Sequence, residues 1–369
     1  MFDVLIIPYR DLYFLSKFGP AVRDLQFIEC IKKNNAIDKV TILNRPVSLY
    51  ERFYNKYKKK FNSDCIDKTS YNLFGPLKKR AWTQHCYYSI VKKFINEYKE
   101  KEKKKKLLII DFTPIAILPV EKDKNIFYWY DMIDNFKKHN CYTNKEKSLV
   151  NEKYKYVSLY YDFITGVSKE ALNEITSISS IKNAILPNGV FMQSTQEKNI
   201  NFNRFSEKHK YDFGFIGFIT DKFDIDFVKK LSKNHKIIIY GKVLDQLVYN
   251  ELNKEENITF KGAFQYTDLP SIMKTFEVGL LPYLESKSHD GSPLKLYEYL
   301  KYNIPCLTSI DYEYKSEYII NYNKDHDLMN NLSYLLDSSG NKNISESIPM
   351  KCFFKNNIDI IIENIKNEK

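Results

Sequence analysis

The richest chemistry lies late in the chain, in the run Ser292-Pro293-Leu294-Lys295-Leu296-Tyr297-Glu298-Tyr299-Leu300. The spacing predicts a helix over 294–301, capped by Ser292 with Pro293 at its first position. A buried strand ending at Pro282 leads into it through Tyr283 and a polar loop that contains Gly291. A helix start of this kind offers backbone N–H groups and the positive dipole end to an anion. Lys295 sits in the first turn, where a positive charge disfavours the helix itself and so suits an anionic partner. Glu298 falls one turn later on the same face. A carboxylate there can accept two hydroxyl hydrogen bonds from a ribose. The spacing is equally that of a plainly capped amphipathic helix carrying a Lys–Glu pair, and on position alone both readings stand.

Other constellations carry less. Asp224-Ile225-Asp226 has the Asp-x-Asp form of a metal site, but it opens a predicted helix with no strand directly before it, which fits helix-dipole matching. There is no Gly-x-Gly-x-x-Gly and no P-loop, which argues against dinucleotide and kinase-type sites. The six cysteines show no metal-site spacing and no disulfide framework, consistent with a reduced, cytoplasmic protein. No metal is expected. Of the six histidines, His289 alone stands beside the candidate site.

Those residues must be held by a scaffold, and the apolar pattern describes one. Short strand-like runs at 4–7, 40–43, 107–110, 126–130, 163–165 and 184–186 alternate with helical stretches such as 20–33 and 145–161. This is the signature of a parallel sheet with helices on both faces. Pro187-Asn188-Gly189 marks a turn, and 193–210 is polar with little periodicity. A second series follows, with strands at 213–216, 236–240, 258–260 and 278–281 and helices at 223–231 and 294–301. A length of 369 residues suits two such domains. The expected plan is an N-terminal Rossmann-like domain over 1–190, a linker over 191–210, a C-terminal Rossmann-like domain over 211–350, and a C-terminal helix, 351–369, crossing back to the first domain. Ligands bind beyond the carboxyl ends of strands in doubly wound sheets, which puts the expected site in a central cleft between two facing sheets.

The 294–301 run, followed by Asn303-Ile304-Pro305, resembles the donor-site signature of GT-B glycosyltransferases, in the bacterial polysaccharide group that includes the retaining family 4 enzymes. Other landmarks resemble that family in order. Phe215-Ile216-Gly217 is similar to its first strand and glycine turn, and Ile239-Tyr240-Gly241 to the strand entering the second turn. The stretch 258–262, with Tyr266 and Leu269-Pro270, resembles the loop that packs on the nucleobase. Glu277 stands where many members place an aspartate. The resemblance implies an α/β GT-B fold of two Rossmann-like domains. It implies that Ser292, Pro293, Leu294 and Lys295 hold the diphosphate and Glu298 the ribose, with Gly217, Gly241, Lys242 and Tyr266 also at the donor and Tyr283 and His289 as further candidates. The donor implied is a nucleotide-diphosphate sugar, a UDP-sugar first, with no other cofactor. Many retaining members carry a Glu eight positions before the ribose Glu. Here that position is Asp290, so retention and inversion both remain open.

The first half resembles the family through Tyr128-Trp129-Tyr130-Asp131-Met132-Ile133-Asp134-Asn135-Phe136, close to a Tyr-Asp-x-x-Asp-Asp stretch, and through 163–168 and 185–190. An inverting transfer needs a base near the acceptor hydroxyl. Asp131, at the carboxyl end of the predicted strand 126–130, is the expected base. Asp134 is expected to orient it or the acceptor, and Asp290 is a third candidate. In a retaining enzyme Asp131 would position the acceptor instead.

The formal charge of +11 admits two readings. One is the Lys-rich and Asn-rich composition of an AT-rich genome. The other is attraction to anionic lipid or nucleic acid. Basic runs at 58–60, 78–80, 92–93 and 103–106 interleave with aromatic residues, which suits a membrane interface. The N-terminal residues 1–8 read as a buried strand rather than a signal peptide, and no apolar run is long enough to span a bilayer. The expectation is a cytoplasmic metal-independent hexosyltransferase, peripheral on the inner face of the membrane. It would build a glycan or lipid-linked acceptor for a bacterial surface polysaccharide such as capsule or lipopolysaccharide, without nucleic acid as partner. The competing expectation is a non-catalytic protein that binds anionic lipid or nucleic acid through the basic N-terminal face.

Overall fold

The structure, a computed structural model, describes residues 1–48, 64–67, 69–70, 86–102, 105–138, 142–192, 210–288, 292–325, 327–341 and 343–367. The chain forms two compact units, Met1–Pro187 together with Lys355–Lys369, and Asn188–Phe354. The expected linker lies almost wholly outside the described residues, as do His289, Asp290 and the basic runs at 58–60 and 78–80.

The first unit is built on β1 (Phe2–Ile7), β2 (Ile37–Leu43), β3 (Val47–Ser48), β4 (Cys65–Ile66), β5 (Thr69–Ser70), β6 (Lys106–Asp111), β7 (Ile126–Met132), β8 (Phe163–Gly166) and β9 (Asn183–Ile185). Seven of these form one sheet in the order β4-β2-β1-β6-β7-β8-β9, and β3 pairs with β5. Every pairing is parallel, with Val4 beside Val40 on one flank and Leu108 on the other. Strands covered on both faces read as unbroken apolar runs, and β1 and β7 are buried along their whole length. The helix Arg23–Lys32 packs Phe27 edge-on to Trp129 of β7, 5.0 Å between ring centres. The helix Asn144–Tyr160 starts on a capping box between Thr143 and Glu146. The C-terminal helix Phe354–Asn367 buries Ile358, Ile361, Ile362 and Ile365. Its Asp359 accepts a hydrogen bond from Asn34, so the last residues belong to the first unit.

The second unit carries β10 (Tyr211–Ile216), β11 (Ile237–Tyr240), β12 (Ile258–Gly262), β13 (Phe276–Leu281), β14 (Cys306–Thr308) and β15 (Ile319–Asn321). Their order is β12-β11-β10-β13-β14-β15, all parallel. Counted from the first strand of the unit this is 3-2-1-4-5-6, the doubly wound Rossmann order. The strand order reverses between β10 and β13, and the crevice at their carboxyl ends is where such sheets hold ligands. The helix Leu294–Lys301 lies over this point. Tyr299 presses onto Gly279 of β13, where any Cβ would come within 2.4 Å of its ring. The Tyr299 hydroxyl accepts from the backbone N–H of Ile216 at 3.0 Å, tying the helix to the end of β10. Asp224, half of the Asp-x-Asp pair, caps the helix Ile225–Ser232 by accepting from the Phe227 N–H.

Candidate donor site

Three strands of the second unit end on glycine. Gly217 follows β10, Gly241 follows β11, and Gly262 closes β12. Each end is bonded to the next: the Gly217 N–H donates to the Tyr240 carbonyl at 2.8 Å and the Gly241 N–H to the Gly262 carbonyl at 2.7 Å. Gly217 and Gly241 adopt φ of 129° and 156°, which L side chains avoid. The space is also closed. A Cβ on Gly241 would lie 1.6 Å from the Gly217 carbonyl oxygen, and one on Gly217 would lie 2.2 Å from Lys295 Cε. The absent side chain of Gly217 is therefore the space that Lys295 fills.

Among the described residues, two aromatic side chains hold Lys295 there. Its ammonium donates to the Tyr283 hydroxyl and lies 5.1 Å and 5.2 Å from the ring centres of Phe215 and Tyr283. Tyr283 is fixed in turn, its N–H donating to Ser309 Oγ at 2.9 Å. The geometry brings Gly217, Tyr283 and Lys295 together.

One turn along the helix, Glu298 is buried. Its Oε1 accepts from the Tyr266 hydroxyl at 2.7 Å, and its Oε2 lies 3.7 Å from the Lys301 ammonium. Lys301 also donates to the Phe191 carbonyl at 2.9 Å. Tyr266 thus differs from its expected part. It is buried and its hydroxyl serves Glu298, because a buried carboxylate needs donors. Lys242, next to Gly241, is exposed, and its carbonyl accepts from the Ile219 N–H.

The helix start also differs from the expectation. The N-cap residue is Pro293, with no side-chain cap, and helical residues begin at Leu294. The Ser292 hydroxyl lies 3.2 Å from the Tyr297 hydroxyl of the helix. It donates to the Asn188 carbonyl at 3.2 Å, while the Asn188 amide donates to the Ser292 carbonyl. Sequence reasoning read Asn188 only as a turn residue; its side chain has a partner 104 residues away, and no local signal reports that. A first helical turn has N–H groups with no i−4 carbonyl to bond, so this end retains the anion-favouring polarity that Lys295 reinforces.

In the first unit, Asp131 is not placed as a base. It is fully buried within β7, and both of its oxygens face Arg23: Nε is 3.0 Å from Oδ2, and Nη2 is 2.9 Å from Oδ1. Thr165 also donates to Oδ1, and Arg23 donates onward to the Leu186 carbonyl at 2.7 Å. A carboxylate in a bidentate, buried ion pair already has its oxygens engaged by donors. Asp134 lies beyond the strand and is half-buried. A second buried ion pair escaped sequence reasoning altogether. Asp111, at the end of β6, binds Lys153 and the Tyr161 hydroxyl with one oxygen, and the backbone and hydroxyl of Thr113 with the other. Burial pushes the Lys153 pKa down while Asp111 opposes the shift. Among the described residues no group of three or more His, Cys, Asp or Glu is arranged to hold a metal, and no helix is long and apolar enough to cross a membrane.

No family model matches the sequence, and no curated protein matches it in a sequence search. Solved structures do match in three dimensions. A trehalose-6-phosphate synthase, studied for glycosyl transfer with retention, aligns with a TM-score of 0.58 over 99% of both chains at 10% identity. AviGT4, a glycosyltransferase of avilamycin A biosynthesis, aligns at 0.56 over 100% of this chain and 98% of its own at 7% identity. A UDP-GlcNAc 2-epimerase from Neisseria meningitidis, bound to UDP-GlcNAc, aligns at 0.51 over the full length of both at 12% identity. At these identities the likeness is one of fold, and it spans both parallel sheets and the C-terminal helix: the chain has the GT-B fold.

Proposed function

We propose that the protein is a glycosyltransferase that takes a sugar from a UDP-sugar and passes it to a glycan or lipid-linked acceptor in bacterial surface polysaccharide synthesis. The observation that carries this reading is the pairing of Lys295 and Glu298 one turn apart at the switch point, with Lys295 seated in the space left by Gly217. A diphosphate would meet the helix start and the ammonium, and a ribose would meet the carboxylate. Positive charge at that place stabilises the leaving diphosphate as the glycosidic bond breaks. The fold is shared with an epimerase bound to UDP-GlcNAc and with a glycosyltransferase, which supports a donor of that class. On this reading Ser292, Pro293 and Leu294 line the phosphate end, Gly241 and Lys242 lie beside it, and the first unit receives the acceptor. Asp134, Asp290 and His289 are the groups to test for work on the acceptor proton, with Asp131 removed to a structural part.

The test is ligand stabilisation. A nucleoside diphosphate at a hundredfold its Kd should raise stability by about 2.7 kcal/mol. No shift with the uridine, guanosine, thymidine or adenosine diphosphates sinks the reading and leaves the anionic-surface binder. Slow release of free sugar from one UDP-sugar supports transfer, whereas an epimerised nucleotide sugar as the product contradicts it. We propose a peripheral place on the inner membrane face on the net charge of +11. Vesicles containing anionic lipid should bind the protein at low salt and lose it as salt rises; no binding at low salt removes that part.

A further inference from the structure

The chain enters the second unit at Asn188. Its backbone is fixed at once by the segment that leaves the unit: the Val190 N–H donates to the Cys352 carbonyl at 2.7 Å, and the Phe354 N–H to the Val190 carbonyl at 3.0 Å. Between them, Gly189 lies so close that a Cβ would stand 2.3 Å from the Cys352 oxygen. Asn188 is therefore a buried residue on an anchored backbone, not a mobile turn. Two hydrogen bonds join this residue to Ser292: the Asn188 amide donates to the Ser292 carbonyl, and the Ser292 hydroxyl donates to the Asn188 carbonyl. The same Ser292 hydroxyl lies 3.2 Å from the buried Tyr297 hydroxyl, one turn inside the helix. Pro293 follows with φ of −74° and has no N–H of its own, and as the N-cap residue it gives the helix that opens at Leu294 no side-chain cap.

We infer that Asn188 is a positioning residue for the donor site. It acts through Ser292 and sets where the helix Leu294–Lys301 begins. It thereby fixes whether Lys295, three residues after Ser292, reaches the space beside Gly217. This rests on the donor-site reading above and adds to it a residue that touches no ligand. The reason is geometric. A helix with an N-terminal side-chain cap has its first turn fixed locally. Among the described residues this one has none, and its lead-in is bonded from outside, by the segment on which the chain crosses between units.

The experiment is a double-mutant cycle on UDP affinity, read by calorimetry with melting curves alongside. Asn188→Ala should weaken UDP binding about tenfold, the equivalent of one buried hydrogen bond. In a Lys295→Ala background the same change should cost little further affinity, because the ammonium it positions is gone. Ser292→Ala, which removes only the hydroxyl bond, should give a smaller loss of the same kind. Should Asn188→Ala fail to fold, the cycle is run with Ser292→Ala. Wild-type affinity in Asn188→Ala, or losses that simply multiply with those of Lys295→Ala, overturn the inference while leaving the donor site intact. A wild-type protein that binds no nucleoside diphosphate sinks the donor-site reading and this inference with it.

Discussion

The three glycines at the strand ends should respond to alanine in three different ways. Gly262 has φ of 73° and open space where a Cβ would go. Gly262→Ala therefore meets only the left-handed backbone penalty, about 1–2 kcal/mol. Gly217 has φ of 129°, a region costing of order 1–3 kcal/mol, and the new Cβ would lie 2.2 Å from Lys295 Cε and 2.7 Å from its Nζ. That neighbour is the end of a long, flexible side chain, so it can swing away and the protein stays folded. The lysine then leaves the Tyr283 hydroxyl and the two rings, and the site loses its fixed positive charge. Because a charge-assisted hydrogen bond contributes about 1.5–3 kcal/mol, UDP affinity should fall by about tenfold or more. Gly241 offers no such escape. Its Cβ would meet the Gly217 carbonyl oxygen at 1.6 Å, and that oxygen belongs to backbone fixed by the Gly217-to-Tyr240 hydrogen bond. The ends of β10 and β11 would have to part, and a loss above about 4 kcal/mol is expected. Melting temperatures measured with and without UDP check the series. The order should be Gly262→Ala, then Gly217→Ala, then Gly241→Ala, with a disproportionate loss of the UDP-induced shift in Gly217→Ala alone. A Gly241→Ala protein as stable as Gly262→Ala, or a Gly217→Ala protein that binds UDP normally, refutes the packing argument.

Further outcomes follow from the same geometry. Glu298→Gln should weaken UDP but hardly affect pyrophosphate, measured by calorimetry; equal losses on both would take the ribose away from Glu298. Asp131→Asn should lower stability by about 3–5 kcal/mol by leaving Arg23 buried without a full partner; a variant that melts like wild type but turns over slowly would restore Asp131 as a base. Asp24, buried at the start of the helix Arg23–Lys32, has its pKa raised from 3.8 to about 6 chiefly by burial, against the opposing Arg10 backbone bond and charge. The folded form then holds a proton that the unfolded chain has already released. Stability from this group is full below about pH 4 and is lost as pH rises to about 6, on the order of 3 kcal/mol in all. Asp24→Asn should therefore be more stable than wild type at pH 7 and not at pH 4, and a difference independent of pH contradicts the assignment.

The sheet-forming runs were legible because parallel strands are covered on both faces and so read as plain apolar blocks. The span of the helix 294–301 was legible from its apolar spacing and its Lys–Glu pair, though Pro293 is its N-cap rather than its first residue. The two strands missed in the second unit, β14 and β15, are three residues each, too short for a period to show. The cap was misjudged for a different reason. Ser292 has the right chemistry for a cap, but Asn188 competes for its hydroxyl and the local pattern cannot report a partner 104 residues away.

The same blindness to distant partners explains where the strand ends and the catalytic assignment went astray. Sequence reasoning stopped or started strands at charged residues, yet β1 contains Asp3, β6 ends on Asp111 and β7 runs through Asp131, all buried. Each has a partner supplied from elsewhere in the chain. The Tyr98 hydroxyl donates to Asp3 from 95 residues away, Lys153 to Asp111 from 42, and Arg23 to Asp131 from 108. An unpaired carboxylate at any of these positions would be too costly to bury, so a local reading places it at the solvent edge, and a carboxylate at the carboxyl edge of such a sheet invites a catalytic assignment. Pairing removes the premise. The aspartate that looked most catalytic is the one most fully consumed by the fold. The reading of Lys295 and Glu298 as a donor-site pair rests on four residues of one helix, and local evidence of that kind is what a single sequence can carry.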